Sequence, residues 1–210
     1  MELFNQNILL YLATYLVSGI PFGYLLAKQF ANVDIKSAGS GNIGATNVLR
    51  VVKEKDPKLA KKLGAATLLL DAFKGMLFIW IAKMLGAPEG VQWTLAVLAV
   101  VGHCFSIFLL FKGGKGVATA AGVFLALCPK TVAVAAVVFF IVLRMFGYVS
   151  AASLAAATSI PVLMHVFCSN DILESMSWTI CLIIWLKHSD NLKRLSKGEE
   201  KRISFQSQGT

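Results

Sequence analysis

The chain has 210 residues, 57% of them apolar and only 15% charged, and its mean hydropathy is +0.70. That composition excludes an ordinary soluble domain and marks an integral membrane protein. The formal charge of +9 does not point to nucleic acid, because the basic residues flank apolar segments, where anionic headgroups and the positive-inside rule account for them.

A spanning helix needs about 20 apolar residues. The first such run, Ile8–Phe30, has no basic residue before it and no small-residue cleavage site after a short core, so it reads as a retained helix and not a signal peptide. A polar connection over 31–62 follows, with seven basic residues. Within it lies GSGNIGATN, Gly39 to Asn47. Ser37, Ser40, Asn42, Thr46 and Asn47 offer hydroxyl and amide donors there, three glycines permit tight turns, and Arg50 follows within about a helical turn. Arginine suits bidentate recognition of phosphate. The plainer alternative is a Ser- and Asx-capped turn that starts an amphipathic interfacial helix over Val48–Lys62.

The second span, Leu63–Leu85, carries Asp71 and Lys74 three residues apart, a spacing that pairs them on one helix face; a structural ion pair facing the bundle interior is the simpler reading. The third, Val91–Phe111, contains His103, about two turns before a second glycine-rich run, FKGGKGVAT, at Phe111 to Thr119. A buried imidazole bonded to a neighbouring helix is at least as good a reading of His103 as chemistry. The second run is not a Walker loop, because Gly116 follows Lys115 and the upstream spacing is wrong, so nucleotide hydrolysis is not indicated. A glycine loop opening into a helix at Val117 turns backbone N–H groups toward an anion, with Lys112 and Lys115 adding formal charge. Its plainer reading is a flexible turn between helices.

Val117–Cys128 reaches roughly 18 Å as a helix, so it either extends into the preceding loop to complete a crossing or forms a broken, partly re-entrant helix, and in both cases it is the expected wall of a site. Thr131–Phe146 and Ile172–Leu186 cross with help from Lys130 and Lys187, while Val149–Cys168 is a clear span. His165 lies in that apolar run without a nearby partner and reads as structural or as lying near the outer interface. His188 opens HSDNLKRLSKGEE, which brings Asp190, Asn191, Arg194 and Glu200 to the end of the last span; the alternative is a solvated polar tail. Cys104, Cys128, Cys168 and Cys181 show no CxxC or metal-ligand spacing and read as small core hydrophobes. No metal or cofactor is expected.

The expected fold is all-α: a polytopic membrane helix bundle of about seven transmembrane helices, with short or broken helices around a cytoplasmic-face site, in one domain over 1–210. Most basic residues fall on one side when 31–62 and the tail 187–210 are placed in the cytoplasm, whereas the connections Gly86–Gly90 and Ser169–Asp171 hold no Lys or Arg. That bias gives an external N-terminus and a cytoplasmic C-terminus, and it gathers both glycine runs, Ser150 and the tail at the cytoplasmic face. A histidine followed five positions later by aspartate, common among acyltransferases, is absent: Phe108, Asn170 and Lys193 stand five after the three histidines.

Four blocks, GSGNIGATNVLR, DAFKG, GHCFSIFLLFKGGKGVAT and HSDNLKRLSKGEE, closely resemble in order and spacing those of the bacterial acyl-phosphate:glycerol-3-phosphate acyltransferases, integral membrane enzymes of phospholipid synthesis. The departures are small: Ile43 stands where proline is frequent, Ser106-Ile107 replace Pro-Val, and Leu192 replaces isoleucine. The resemblance implies transfer of a fatty acyl group from acyl phosphate to the 1-hydroxyl of glycerol 3-phosphate, giving lysophosphatidic acid and inorganic phosphate. It assigns Lys112, Ser150, His188 and Asn191 to catalysis. Ser40, Asn42, Thr46 and Arg50, together with Gly113, Gly114, Lys115, Gly116 and Thr119, bind substrate. Asp71, Lys74, His103 and Glu200 take supporting places. It further implies a multi-pass protein of the bacterial inner membrane, in contact with lipid, functional as a monomer and free of nucleic acid. Attack is direct, with the substrate phosphate or His188 taking the proton. A transporter of a phosphate-bearing anion or lipid, or a non-catalytic subunit, are the other classes.

Overall fold

The computed structural model describes residues 2–168 and 171–203, with side chains from Asn7 onward except those of Asp171 and Leu173. Regular structure among these residues is helical throughout. Two compact units divide the chain at Leu127 and Cys128.

The first unit holds α1 (Glu2–Gly19), α2 (Phe22–Ala31), α3 (Ala45–Lys53), α4 (Pro57–Met84), α5 (Glu89–Cys104), a 3-10 turn (Ile107–Leu109) and α6 (Val117–Leu127). The expected first helix is in fact two. Pro21 lacks an N–H and ends α1, which leaves carbonyls at membrane depth that need donors from elsewhere. Ser106 Oγ donates to the Gly19 carbonyl at 2.6 Å and Lys74 Nζ to that of Ile20 at 2.8 Å. The serine that replaces a usual proline thus has a definite task at the break.

The interfacial helix over Val48–Lys62 does not form. Asp56 restarts the chain: its Oδ1 accepts the Lys58 and Leu59 N–H groups at 2.8 and 3.0 Å, and Pro57 opens α4 where no N–H is needed. The apolar face of α3 is therefore not turned to lipid. Val48, Val51 and Val52 are buried with Ala27, Ile35, Ile43, Ala60, Leu63 and Leu109 in one cluster under the first glycine run.

Helix α4 is the spine of this unit and packs against α2, α3, α5 and α6. Its contact with α6 is backbone to backbone. A Cβ on Gly122 would fall on the Ala72 carbonyl, and one on Gly75 on the Thr119 carbonyl, so only glycine permits the approach. The radial pattern of α4 is that of a membrane helix: Leu69 is 69% exposed while Lys74 is 1% exposed.

The second unit contains α7 (Pro129–Phe146), α8 (Val149–Cys168), α9 (Asp171–Lys187) and α10 (Ser189–Ser196). Helix α8 packs against both α7 and α9. Trp185 Nε1 donates to Thr158 Oγ1 at 3.0 Å across the α8–α9 pair. His165 is not partnerless: its Nδ1 lies 2.8 Å from Glu174 Oε2 on α9, a contact between turns of two helices that a scan for sequence neighbours overlooks. Cys104, Cys128 and Cys181 are buried as expected, but Cys128 and Cys168 also face each other, their sulfurs 2.8 Å apart.

Among the described residues, five helical segments are long and apolar enough to cross a membrane: Asn7–Ala31, Pro57–Met84, Glu89–Leu109, Pro129–Phe146 and Val149–Cys168. Helix α6, with 11 residues, is short as anticipated, and α9 has 17. Of the connection Ser169–Asp171, Ser169 and Asn170 lie outside the described residues.

Candidate active site

The first glycine run is folded around one buried side chain. Asn47 lies at the start of α3; its Oδ1 accepts the Ser40 N–H at 2.8 Å, while its Nδ2 donates to the carbonyls of Ile35, Asn42 and Ala38 at 2.9, 2.8 and 3.2 Å. One amide thereby fixes both ends and the middle of the run. Asn42 Oδ1 accepts the Gly44 N–H at 2.8 Å and shapes the turn into the helix. Ser40 and Thr46 remain exposed and Arg50 half-buried, one helical turn from Thr46 on the same face of α3. Sequence reasoning counted Asn47 among several donors and missed that it holds the others. The signal available was an amide two residues inside a helix whose first turn follows three glycines.

The second run is held from behind by His103. The Gly114 N–H donates to the His103 carbonyl at 3.0 Å, and the imidazole lies against the Gly114 Cα, where an added Cβ would strike Nε2. Leu110 and Phe111 have φ of 50° and 63°, left-handed values that cost ordinary residues free energy and reverse the chain before Lys112. Lys112 is exposed and Lys115 half-buried. The Gly116 carbonyl accepts the Ala120 N–H at 2.7 Å, so the first turn of α6 begins directly behind the loop and its leading N–H groups point away from the helix. Thr119 is fully buried, and its Oγ1 has no hydrogen-bond partner among the described residues. The two runs share a base: Leu109, at the end of the 3-10 turn before Lys112, belongs to the same apolar cluster as Ile43 and Val48.

Asp71 and Lys74 do pair, at 2.8 Å, and both are buried on α4. His103 Nδ1 lies 3.7 Å from the same Asp71 oxygen. These three residues lie together as a single group.

In the second unit one carboxylate collects the polar side chains. Ser150 Oγ and Asn191 Nδ2 donate to Glu200 Oε1 at 2.8 and 2.7 Å, and Arg194 Nε donates to Glu200 Oε2 at 2.7 Å. Burial of Glu200 works against its ionisation, but the hydrogen bonds from Arg194, Asn191 and Ser150 and the Arg194 charge outweigh it and hold the carboxyl below the ordinary glutamate value. The described tail is anchored at Glu200, although Asp190, Lys193, Lys197, Glu199 and Lys201 stay exposed. Beyond α10 it returns to the start of α8, with the Ile203 N–H on the Gly147 carbonyl at 2.9 Å and Arg202 Nε on Tyr148 Oη at 2.9 Å. His188 is buried, and its Nδ1 lies 2.7 Å from the Ile184 carbonyl. A carbonyl only accepts, so Nδ1 is the nitrogen that carries a proton in this contact.

Among the described residues no three His, Cys, Asp or Glu side chains gather to hold a metal ion. Each unit instead presents hydroxyl, amide, guanidinium and ammonium donors on a preformed scaffold, an equipment suited to anionic oxygens.

A family model described as glycerol-3-phosphate acyltransferase matches residues 8–198. The chain belongs to that family. Among curated relatives, the glycerol-3-phosphate acyltransferase of Sulfurimonas denitrificans is 48% identical over 201 residues, covering 96% of this chain and 98% of its own. That of a Nitratiruptor species is 47% identical, covering 95% and 97%. The fold matches a crystal structure of PlsY, an integral membrane glycerol 3-phosphate acyltransferase, in its glycerol 3-phosphate form, with a TM-score of 0.85 and 34% identity over 96% of this chain and all of that one. The lysophosphatidic acid form of PlsY matches with a TM-score of 0.84 over 95% and 96%. The glycerol-3-phosphate acyltransferase family therefore covers both units, and the all-helical integral membrane fold goes with it.

Proposed function

We propose that this acyltransferase takes its acyl group from acyl phosphate and delivers it to the 1-hydroxyl of glycerol 3-phosphate, producing lysophosphatidic acid and inorganic phosphate. The observation that carries the reading is family membership across nearly the whole chain. A transporter is not favoured by it.

In this account the hydroxyl oxygen attacks the acyl carbon, the bond from that carbon to the phosphate oxygen breaks, and phosphate leaves with the electron pair. An acyl phosphate is already activated, so no covalent enzyme intermediate is needed. The hydroxyl proton passes to the substrate phosphate or to His188 Nε2. Lys112 and the N–H groups over Gly113–Thr119 stabilise the developing anion, with Lys115 adding charge. Ser40, Asn42, Thr46 and Arg50 bind a phosphate group, and Ser150 and Asn191, held by Glu200, orient the glycerol. The acyl chain enters between helices from the membrane. The distribution of basic residues supports an external N-terminus and a cytoplasmic C-terminus. In this reading the protein sits in the bacterial inner membrane and works as one domain and as a monomer.

The test is product analysis by mass spectrometry with glycerol 3-phosphate and either palmitoyl phosphate or palmitoyl-CoA. Lysophosphatidic acid formed from the acyl phosphate and not from the thioester is the expected result; equal use of both overturns the donor assignment. A pH–rate profile unchanged in shape by His188→Ala, with residual turnover, makes the substrate phosphate the base. Complete loss with intact binding gives that role to the histidine.

A further inference from the structure

We propose that Asp71, Lys74 and His103 act together as a positioning device that sets the geometry of the glycine loop Lys112–Gly116, with His103 as the positioning residue in contact with it. The inference rests on the reading of that loop as a phosphate site.

Placing an aspartate and a lysine inside an apolar helix is costly, and well-packed apolar residues commonly serve a helix interface as well or better. The pair is not isolated. Lys74 Nζ bridges Asp71 Oδ1 and the Ile20 carbonyl, each at 2.8 Å, and sits 5.4 Å from the centre of the Phe22 ring. The ammonium is thus pinned to the α1–α2 break and in turn pins the carboxylate. The same carboxylate oxygen faces His103 Nδ1 at 3.7 Å. That separation is longer than a hydrogen bond, so the carboxylate acts on the ring through its charge in a buried setting; in the ring orientation observed Nε2 lies against Gly114. His103 meets the loop twice, through this ring and through its carbonyl, which accepts the Gly114 N–H at 3.0 Å.

The far side of the loop is held by the same stretch of α4. Gly75 follows Lys74 directly and packs on the Thr119 carbonyl, in the first turn of α6. The DAFKG segment therefore touches the loop's support on one side, through Asp71 and His103, and its continuation on the other, through Gly75. A break in α1, an ion pair in α4 and a histidine in α5 converge on the orientation of a few backbone N–H groups. This explains charges in DAFKG that helix packing does not require.

The discriminating variant is the double substitution Asp71→Asn with Lys74→Met, which removes both charges and leaves no buried ion unpaired. The readouts are folded yield, hydrogen exchange of the peptide spanning 112–116, and steady-state kinetics in acyl phosphate and in glycerol 3-phosphate. The proposal expects the double variant to recover most of the yield lost in Asp71→Asn alone. It also expects exchange in 112–116 to be at least five-fold faster than in the unsubstituted protein, and KM for one of the two phosphate substrates to rise at least five-fold with kcat within about two-fold. His103→Ala should reproduce the exchange and KM effects, and His103→Gln should restore part of both. A double variant with unchanged loop protection and unchanged KM shows a pair that serves packing only, and overturns the proposal. Because loop exchange does not depend on turnover, an inactive unsubstituted protein whose variants still loosen the loop overturns the reaction assigned above and leaves the positioning device standing.

Discussion

The two units solve the same problem, presenting polar groups beside a membrane, in opposite ways. In the first, the residues proposed to meet substrate and those that hold them are different: Ser40, Thr46 and Lys112 are exposed, while Asn47 and His103 are buried behind them and bond to the backbone. In the second, Ser150, Asn191 and Arg194 are themselves tied to a single carboxylate, Glu200. A site built from backbone N–H groups needs a rigid loop, and rigidity comes from buried groups that never touch substrate. A site built from side chains needs a common anchor that fixes rotamers, and an ionised acid accepting several hydrogen bonds provides it. The first arrangement fails by loosening, the second by losing one charge.

The largest effect should come from the amide at the centre of the first run. Asn47→Ala removes four hydrogen bonds and leaves the Ile35, Ala38 and Asn42 carbonyls and the Ser40 N–H to find other partners, at a cost of about 3–4 kcal/mol. Thermal unfolding in detergent should show a drop of several degrees together with near-complete loss of activity. Asn47→Asp should not rescue it, because a carboxylate would face three carbonyls.

Gly122→Ala comes next. Its methyl group meets the Ala72 carbonyl, forces α4 and α6 apart and should destabilise by about 1–3 kcal/mol, read as a lower melting temperature. In the second unit Glu200→Gln keeps the shape but removes the charge. It should cost about 1–2 kcal/mol and release the tail, which limited proteolysis after Lys197 or Lys201 detects. The smallest effect sharpens the contrast through pH. The Glu200 carboxyl ionises below the ordinary glutamate value in the folded state, so its contribution is fully present above the unfolded value and is lost as pH falls through the folded one. Hydrogen exchange at Glu199–Ile203 should therefore stay slow through the ordinary carboxylate range and quicken only below it, whereas the Ser40 N–H held by Asn47, whose own four hydrogen bonds involve no titrating group, should show no matching transition.

Composition and run length made the membrane class and most spans legible, because the cost of burying polar backbone and side chains leaves long apolar runs as the available solution. The motif residues were legible as chemical types: hydroxyls, amides and cations around glycines. Their supports were not. Pro21 is visible in the sequence, but that Lys74 and Ser106 would serve the carbonyls it exposes depends on packing between helices far apart in the chain. The restart of α4 at Asp56-Pro57 was open to a reader of caps and was hidden by the amphipathic pattern that runs through it. His165 with Glu174, and Ser150 with Glu200, are partners set by helix pairing and by a tail that returns, neither of which has a sequence period.

The most direct test of the account is release of inorganic phosphate from palmitoyl phosphate by the purified protein, with and without glycerol 3-phosphate, beside Lys112→Ala. The account predicts release that requires both substrates and falls at least a hundred-fold in the variant while its fold is kept. Release without glycerol 3-phosphate, or full activity in Lys112→Ala, would contradict it.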